Sequence, residues 1–394
     1  MSNLEAFRGW LASGRILLPG TAVPTSVHLG RALAQLCGAP VQGFDSTCRQ
    51  VAAAIGEAEH YVFVLVDGLG MNLIDSLPAE SFLRRGLALE MHSVFPSSTA
   101  PGITSLATGL WPAEHGLPAW FVYLREANLS AISLPFVERF SGRPLGKLGV
   151  HSERLFSRPA LLASFPRDCA LIMPASISDS VYTRYIAGGH PVSARHTLTE
   201  AVDAVLTRIR HAAAPTFTYV YHASVDAAEH DHGPDSPQTA ATVHEVEAGL
   251  SRLAAELPNG GRLVVSADHG QYLAPESVRF IMRSEDPLLE LLACPPTGEG
   301  RLPIFHVRPG HTNDFRGAFL RRYGDHFLLL SRAEIAELRL FGPEALSNLT
   351  LDRIGDFIGV PVDDEVLVYE PSSPMVGYHG GLSQAEVSIP LIVA

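Results

Sequence analysis

The sequence predicts an α/β fold with a mostly parallel sheet, and three observations carry that expectation. Short runs of β-branched and aromatic residues, suited to strands buried on both faces, recur at 61–66, 216–221 and 262–266. Stretches with helical apolar spacing lie between them, at 71–77, 199–213 and 238–256. An acidic residue follows each of these strands, and open α/β sheets bind their ligands beyond the carboxyl ends of the strands.

Composition agrees. Of 394 residues, 46% are apolar and 18% charged, enough for a sizeable core and contrary to disorder. The formal charge of −12 argues against a nucleic-acid polymer as partner of the surface as a whole. An acidic chain that handles an anion must supply positive charge locally, and bound metal ions are one way to do so. Cys37, Cys48, Cys169 and Cys294 are scattered without C-x-x-C spacing, which predicts four buried thiols rather than a disulfide framework or structural zinc. The first eight residues, Met1 to Arg8, lead into no apolar targeting segment, and no apolar run reaches membrane-spanning length. A soluble, cytoplasmic protein is expected; its oligomeric state is not legible.

Taken in order, residues 1 to about 55 read as an N-terminal approach with helices over 27–36 and 46–55, and His28 as an ordinary histidine. The strand at 61–66 ends in Asp67-Gly68-Leu69-Gly70, where Asp67 serves as a ligand or as turn chemistry. Phe95-Pro96-Ser97-Ser98-Thr99-Ala100-Pro101-Gly102 reads as a loop entering a helix, with Thr99 at the N-cap, Pro101 in the first turn and Gly109 at the C-terminus. A hydroxyl there faces the positive end of a helix dipole, a natural place for a phosphate or sulfate, although Thr99 could simply cap. Residues 120–165 show few clear periods and are expected to run over one end of the sheet. A strand at 170–174 precedes the helix at 199–213.

After the strand at 216–221, Asp226 and His230 stand four apart, on one face of a helical turn, as two ligands of a divalent metal. Asp231 and His232 belong to a solvated loop on the alternative reading. The strand at 262–266 ends in Asp268-His269, again ligands or turn residues. From about 274 to 370 short strands (304–307, 326–330, 366–369) and helices (313–322, 332–338) read as a small α+β subdomain in which His306 and His311 are structural. His379 lies among glycines that let its ring approach a crowded site, and 387–393 is a closing strand. Three aspartates and three histidines make two sites of three protein ligands each, with positions open for substrate, the layout of a catalytic metal centre. Mixed carboxylate and imidazole ligation suits zinc, with manganese or iron as alternatives.

Val66-Asp67-Gly68, the Phe95–Pro101 stretch, Thr108-Gly109-Leu110-Trp111-Pro112-Ala113-Glu114-His115-Gly116, Asp226-x-x-x-His230, Ala267-Asp268-His269-Gly270 and His379-Gly380-Gly381-Leu382-Ser383 together resemble the alkaline phosphatase superfamily. The type I phosphodiesterase/nucleotide pyrophosphatase branch is the most similar, over about 60–394. The resemblance implies a three-layer α/β/α core (1–273 and 371–394) with the inserted α+β subdomain (274–370). It implies that Asp226, His230 and His379 hold one divalent ion, and that Asp67, Asp268 and His269 hold a second that Thr99, the nucleophile, also meets. The expected activity is hydrolysis of phosphodiester or pyrophosphate bonds of a small anionic substrate, such as a nucleotide, through a phosphothreonine. The alternatives are monoester, phosphonate or sulfate-ester hydrolysis, phosphoryl transfer, or a metal-binding protein without catalysis. Trp120 stands where the family pattern expects a phosphate-binding Asn, which weighs against nucleotide diesters.

Overall fold

The computed structural model describes residues 2–370 and 375–394. Its central sheet has seven strands, in the order Leu87–His92, Ser388–Val393, Gly261–Ser266, His60–Val66, Thr216–His222, Asp168–Pro174 and Val192–Arg195. All run parallel except Ser388–Val393, which is antiparallel to both of its neighbours. Every residue of His60–Val66 is buried, so this apolar run is covered on both faces, as its lack of alternation requires. The covering helices form two groups that pack among themselves. One is Ser26–Leu36, Ser46–Ile55 and Thr99–Thr108; the other is Leu198–Arg210, Ser224–His232 and Pro237–Glu256. Ser236 caps the last of these by accepting from the Thr239 amide, with Pro237 in the first turn. The four cysteines are buried and unpaired. Among the described residues no helix is long and apolar enough to cross a membrane.

A second sheet, antiparallel throughout, also has seven strands, in the order Phe327–Ser331, Phe357–Pro361, Leu302–Phe305, Thr297–Glu299, Phe121–Leu124, Leu129–Ile132 and Val137–Glu138. Its period-two alternation feeds two cores. Ile304, Leu328, Leu330 and Ile358 pack with Phe7, Phe95 and Trp111, while Phe305, Phe327, Leu329 and Phe357 pack with Phe315 and Phe319.

One expectation changes here. The second sheet is not confined to 274–370, because three of its strands come from 121–138. Residues 121–138, part of the region expected to run over one end of the central sheet, form hairpins, and strands of two to four residues are too short to show a period. The boundary proposed at 371 falls in 371–374, outside the described residues.

Candidate metal centre and active site

The register brings three strand ends to one rim. Val66 lies opposite His222, and Leu65 opposite Ser266, so the chain turns out of all three strands at one level. Asp67 donates its amide to the His222 carbonyl (2.9 Å), and Asp226 donates its own to the Asp67 carbonyl (3.0 Å). The Gly68 amide donates to Asp268 Oδ1 at 3.3 Å. On the helix Ser224–His232, Asp226 and His230 share a face, with His230 Nε2 3.3 Å from Asp226 Oδ1. His379 follows the short strand Gly377–Tyr378, which pairs with Tyr272–Leu273. Its Nε2 lies 3.9 Å from Asp226 Oδ1, and its ring stacks on His269 at 3.9 Å between centroids. A Cβ at position 377 would stand 2.3 Å from the Glu229 carbonyl oxygen, so only glycine lets this strand approach.

All the residues expected at the site converge. The donor atoms of Asp226, His230 and His379 lie within 4.8 Å of one another, and so do those of Asp67, Asp226 and His269. Asp226 therefore stands in both groups. Asp268 completes the second through His269, its Oδ2 lying 3.5 Å from His269 Nε2.

Thr99 is the first residue of the helix Thr99–Thr108, and not its N-cap as expected. Ser98 is the cap: its backbone is extended, and its carbonyl already accepts from the Gly102 amide at 2.8 Å. The Ser98 hydroxyl turns away from the helix and donates to Glu299 Oε1 of the second sheet (2.5 Å). Thr99 Oγ1 lies 3.1 Å from His269 Nε2, at the helix end where the first amides lack intrahelical acceptors. Gly102 lets the helix pass close to Asp268, since a Cβ there would meet Asp268 Cβ and its carbonyl oxygen at 3.1 Å.

The donor set fits divalent cations. His230 Nδ1 donates to the Gly377 carbonyl (2.8 Å) and His269 Nδ1 to the Gly270 carbonyl (3.1 Å). A ring held this way presents a lone pair on Nε2 whenever it is neutral. Those lone pairs face carboxylate oxygens: Asp226 Oδ1 for His230, and Asp67 Oδ1 (3.4 Å) and Asp268 Oδ2 for His269. Carboxylate oxygens and imidazole nitrogens converging at these distances are the kind of donor set that holds a divalent cation. Asp67 Oδ1 and Asp268 Oδ2 are buried without a hydrogen-bond partner, and no arginine or lysine pairs with the three aspartates among the described residues. Burial, with the neighbouring Asp268 and Asp226 charges, pushes the Asp67 carboxyl well above the usual range. Burial also raises Asp268 and holds His379 well below the usual histidine value.

Several contributors escape sequence reading. Tyr221 donates its hydroxyl to Asp67 Oδ2, and Gln271 Nε2 donates to Asp226 Oδ1 at 2.6 Å. Gln271 follows Asp268-His269-Gly270 directly, a polar residue in a buried turn, which is the signal that could have found it. Glu229 is fully buried beside Asp226. A cavity of about 490 Å³ opens from Thr99, Asp226, His230 and His379 toward the second sheet, where Trp120, Glu299 and Arg139 line it. The Trp120 amide donates to Glu299 Oε1 (2.7 Å), and burial raises that carboxyl to about 7 against the hydrogen bonds from Ser98 and Trp120. A separate void of about 60 Å³ near Leu33, Ile103 and Phe217 is apolar and offers no chemistry. His306, expected to be structural, is buried against Tyr123, and His311 is exposed at the start of a helix.

A family profile described as type I phosphodiesterase / nucleotide pyrophosphatase matches residues 61–382, the span that carries every residue above. The chain belongs to that family. It is a metal-dependent family of phosphoester hydrolases, within the alkaline phosphatase superfamily. Solved structures share the fold at low identity. Human ectonucleotide pyrophosphatase/phosphodiesterase 5 is 16% identical with a TM-score of 0.64, over 85% of this chain and 87% of that one. An inactive variant of the murine protein in complex with AMP is 17% identical with a TM-score of 0.63, over 84% and 87%. Phosphonoacetate hydrolase from Sinorhizobium meliloti in complex with phosphonoformate is 20% identical with a TM-score of 0.59, over 85% and 90%. No curated protein matches the sequence at a significant level.

Proposed function

We propose that this family member hydrolyses phosphate esters with Thr99 as nucleophile and two divalent ions, zinc first, held by Asp226, His230 and His379 and by Asp67, Asp268 and His269. The observation that carries the reading is Thr99 Oγ1 within 3.1 Å of His269 Nε2, at a helix N-terminus beside both donor groups. Bound ions would lower the pKa of the threonine hydroxyl and offset the negative charge of the phosphoryl oxygens. Thr99 Oγ1 attacks phosphorus in line, the bond to the leaving oxygen breaks, and a phosphothreonine results. Water then hydrolyses it and regenerates Thr99. The free amides of the first helical turn donate to a phosphoryl oxygen. The ring tautomers fixed by Gly377 and Gly270 keep the histidine lone pairs on the ligand side.

The substrate is a small anion, and phosphodiester or pyrophosphate bonds are the leading class. The AMP and phosphonate bound by the structural relatives support a compact phosphoryl ligand. Trp120 in place of the expected Asn keeps monoesters, phosphonates and sulfate esters as the second reading. The unpaired thiols support a reducing compartment, the cytoplasm. The test compares rates on aryl phosphodiester, monoester, phosphonate and sulfate substrates with the metal-loaded protein. Thr99→Ala is expected to lose at least about a thousandfold in turnover while binding metal normally; retained turnover would refute the nucleophile.

A further inference from the structure

Arg139 follows the strand Val137–Glu138 and is the one arginine or lysine lining the cavity that holds Thr99, among the described residues. Its guanidinium carbon lies over aromatic rings, 3.9 Å from the Phe121 centroid, 5.4 Å from Phe140 and 5.7 Å from Tyr369. Nη1 donates to the Pro296 carbonyl at 2.6 Å, and among the described residues no carboxylate pairs with the group. Burial lowers it only to about 10, so it stays charged at neutral pH. Nη1 is the one guanidinium nitrogen with a hydrogen-bond partner among the described residues, and the guanidinium fork matches a carboxylate or phosphate. In a chain of net charge −12, an unpaired and partly desolvated cation is costly to keep without an anionic partner. The cavity supplies the place for one, with the metal donors at one end and Arg139 on the wall formed by the second sheet.

We infer that Arg139 is a specificity-determining residue that grips a second anionic group, a carboxylate or phosphate, on the arm of the substrate remote from the phosphoryl group. Phe121, Phe140 and Tyr369 hold the guanidinium in place, and Phe140, 48% exposed, forms the outer part of that seat. The inference rests on the phosphoryl site at Thr99 proposed above.

The test measures binding of two ladders of inhibitors to the metal-loaded protein: alkylphosphonates and ω-carboxyalkylphosphonates of matched chain length. At one or more lengths the carboxylate is expected to tighten binding at least about tenfold. Arg139→Met should bring that ratio close to one, and Arg139→Lys should keep part of it, as a point charge without the fork. A carboxylate that adds nothing at every length in the wild-type protein, a comparison that depends on no variant folding, overturns the inference and leaves the phosphoryl site standing. A preference that survives in Arg139→Met overturns it equally. If neither ladder binds, the phosphoryl reading fails and the role of Arg139 falls with it.

Discussion

Asp67 is held from two sides: its Oδ2 accepts from the Tyr221 hydroxyl, and its Oδ1 faces His269 Nε2. Such outer partners fix the orientation of a ligand, and their removal typically weakens metal binding ten- to a hundredfold. Tyr221→Phe should therefore lower metal affinity by about that factor, read by competition with a chelating dye, while the far-ultraviolet spectrum stays the same. Unchanged affinity would mean that the hydroxyl does not orient Asp67. The residues of the candidate metal site were legible because chemistry constrains such donors to strand ends and glycine-rich turns, as at Asp67-Gly68 and Asp268-His269-Gly270. Thr99 was placed one position off because a serine precedes it, and only the path of the chain shows that the Ser98 hydroxyl goes to Glu299 instead of the helix. Arg139 and Glu299 carry no local mark. Their importance comes from a sheet that joins 121–138 to 297–299, and pairing across such a separation leaves no pattern in either stretch.

At the scale of elements, the loop that carries His379 is tied to the second sheet by a buried ion pair. Arg301 donates from Nε to Glu386 Oε1 (2.7 Å) and from Nη2 to Oε2 (3.1 Å), with side-chain exposures of 3% and 0%. Glu386 in turn accepts from the Gly381 amide (2.8 Å) and the Ser383 hydroxyl (2.7 Å), two and four residues beyond His379. Removing one member of a buried pair leaves the other charge uncompensated, which costs about 3–5 kcal/mol. Arg301→Met is expected to lower stability by about that amount in urea unfolding of the metal-loaded protein, and to weaken metal binding as the His379 loop shifts. A loss below about 1 kcal/mol would show that the pair is not integral to the loop. The helices and long strands were legible from periodicity, and the helix at Ser224–His232 supplies the helical backbone on which the spacing of Asp226 and His230 puts them on one face. The hairpins at 121–138 were not, for want of length.

For the whole molecule, folding gathers buried carboxyls that resist ionisation until cations arrive. Asp67 and Asp268 have raised pKa values, so without metal they hold protons at a pH where free carboxylates have lost them. Metal must displace those protons, and its affinity rises with pH. The sign for stability follows. Across that window the metal-free native state binds more protons than the unfolded chain, so these groups lower its stability as pH rises. The difference in melting temperature between metal-loaded and chelated protein should therefore widen as pH rises above the ordinary carboxylate range. A constant or narrowing difference in calorimetry would show that these carboxyls do not bind the ions.

The strand Ser388–Val393 lies between Leu87–His92 and Gly261–Ser266. During synthesis, Leu87–His92 emerges long before its one neighbour in the sheet, and must wait as an unsheltered edge. Nascent protein cut short before Ser388 leaves two hydrogen-bonding borders bare, an invitation to wrong partners that a single late insertion removes.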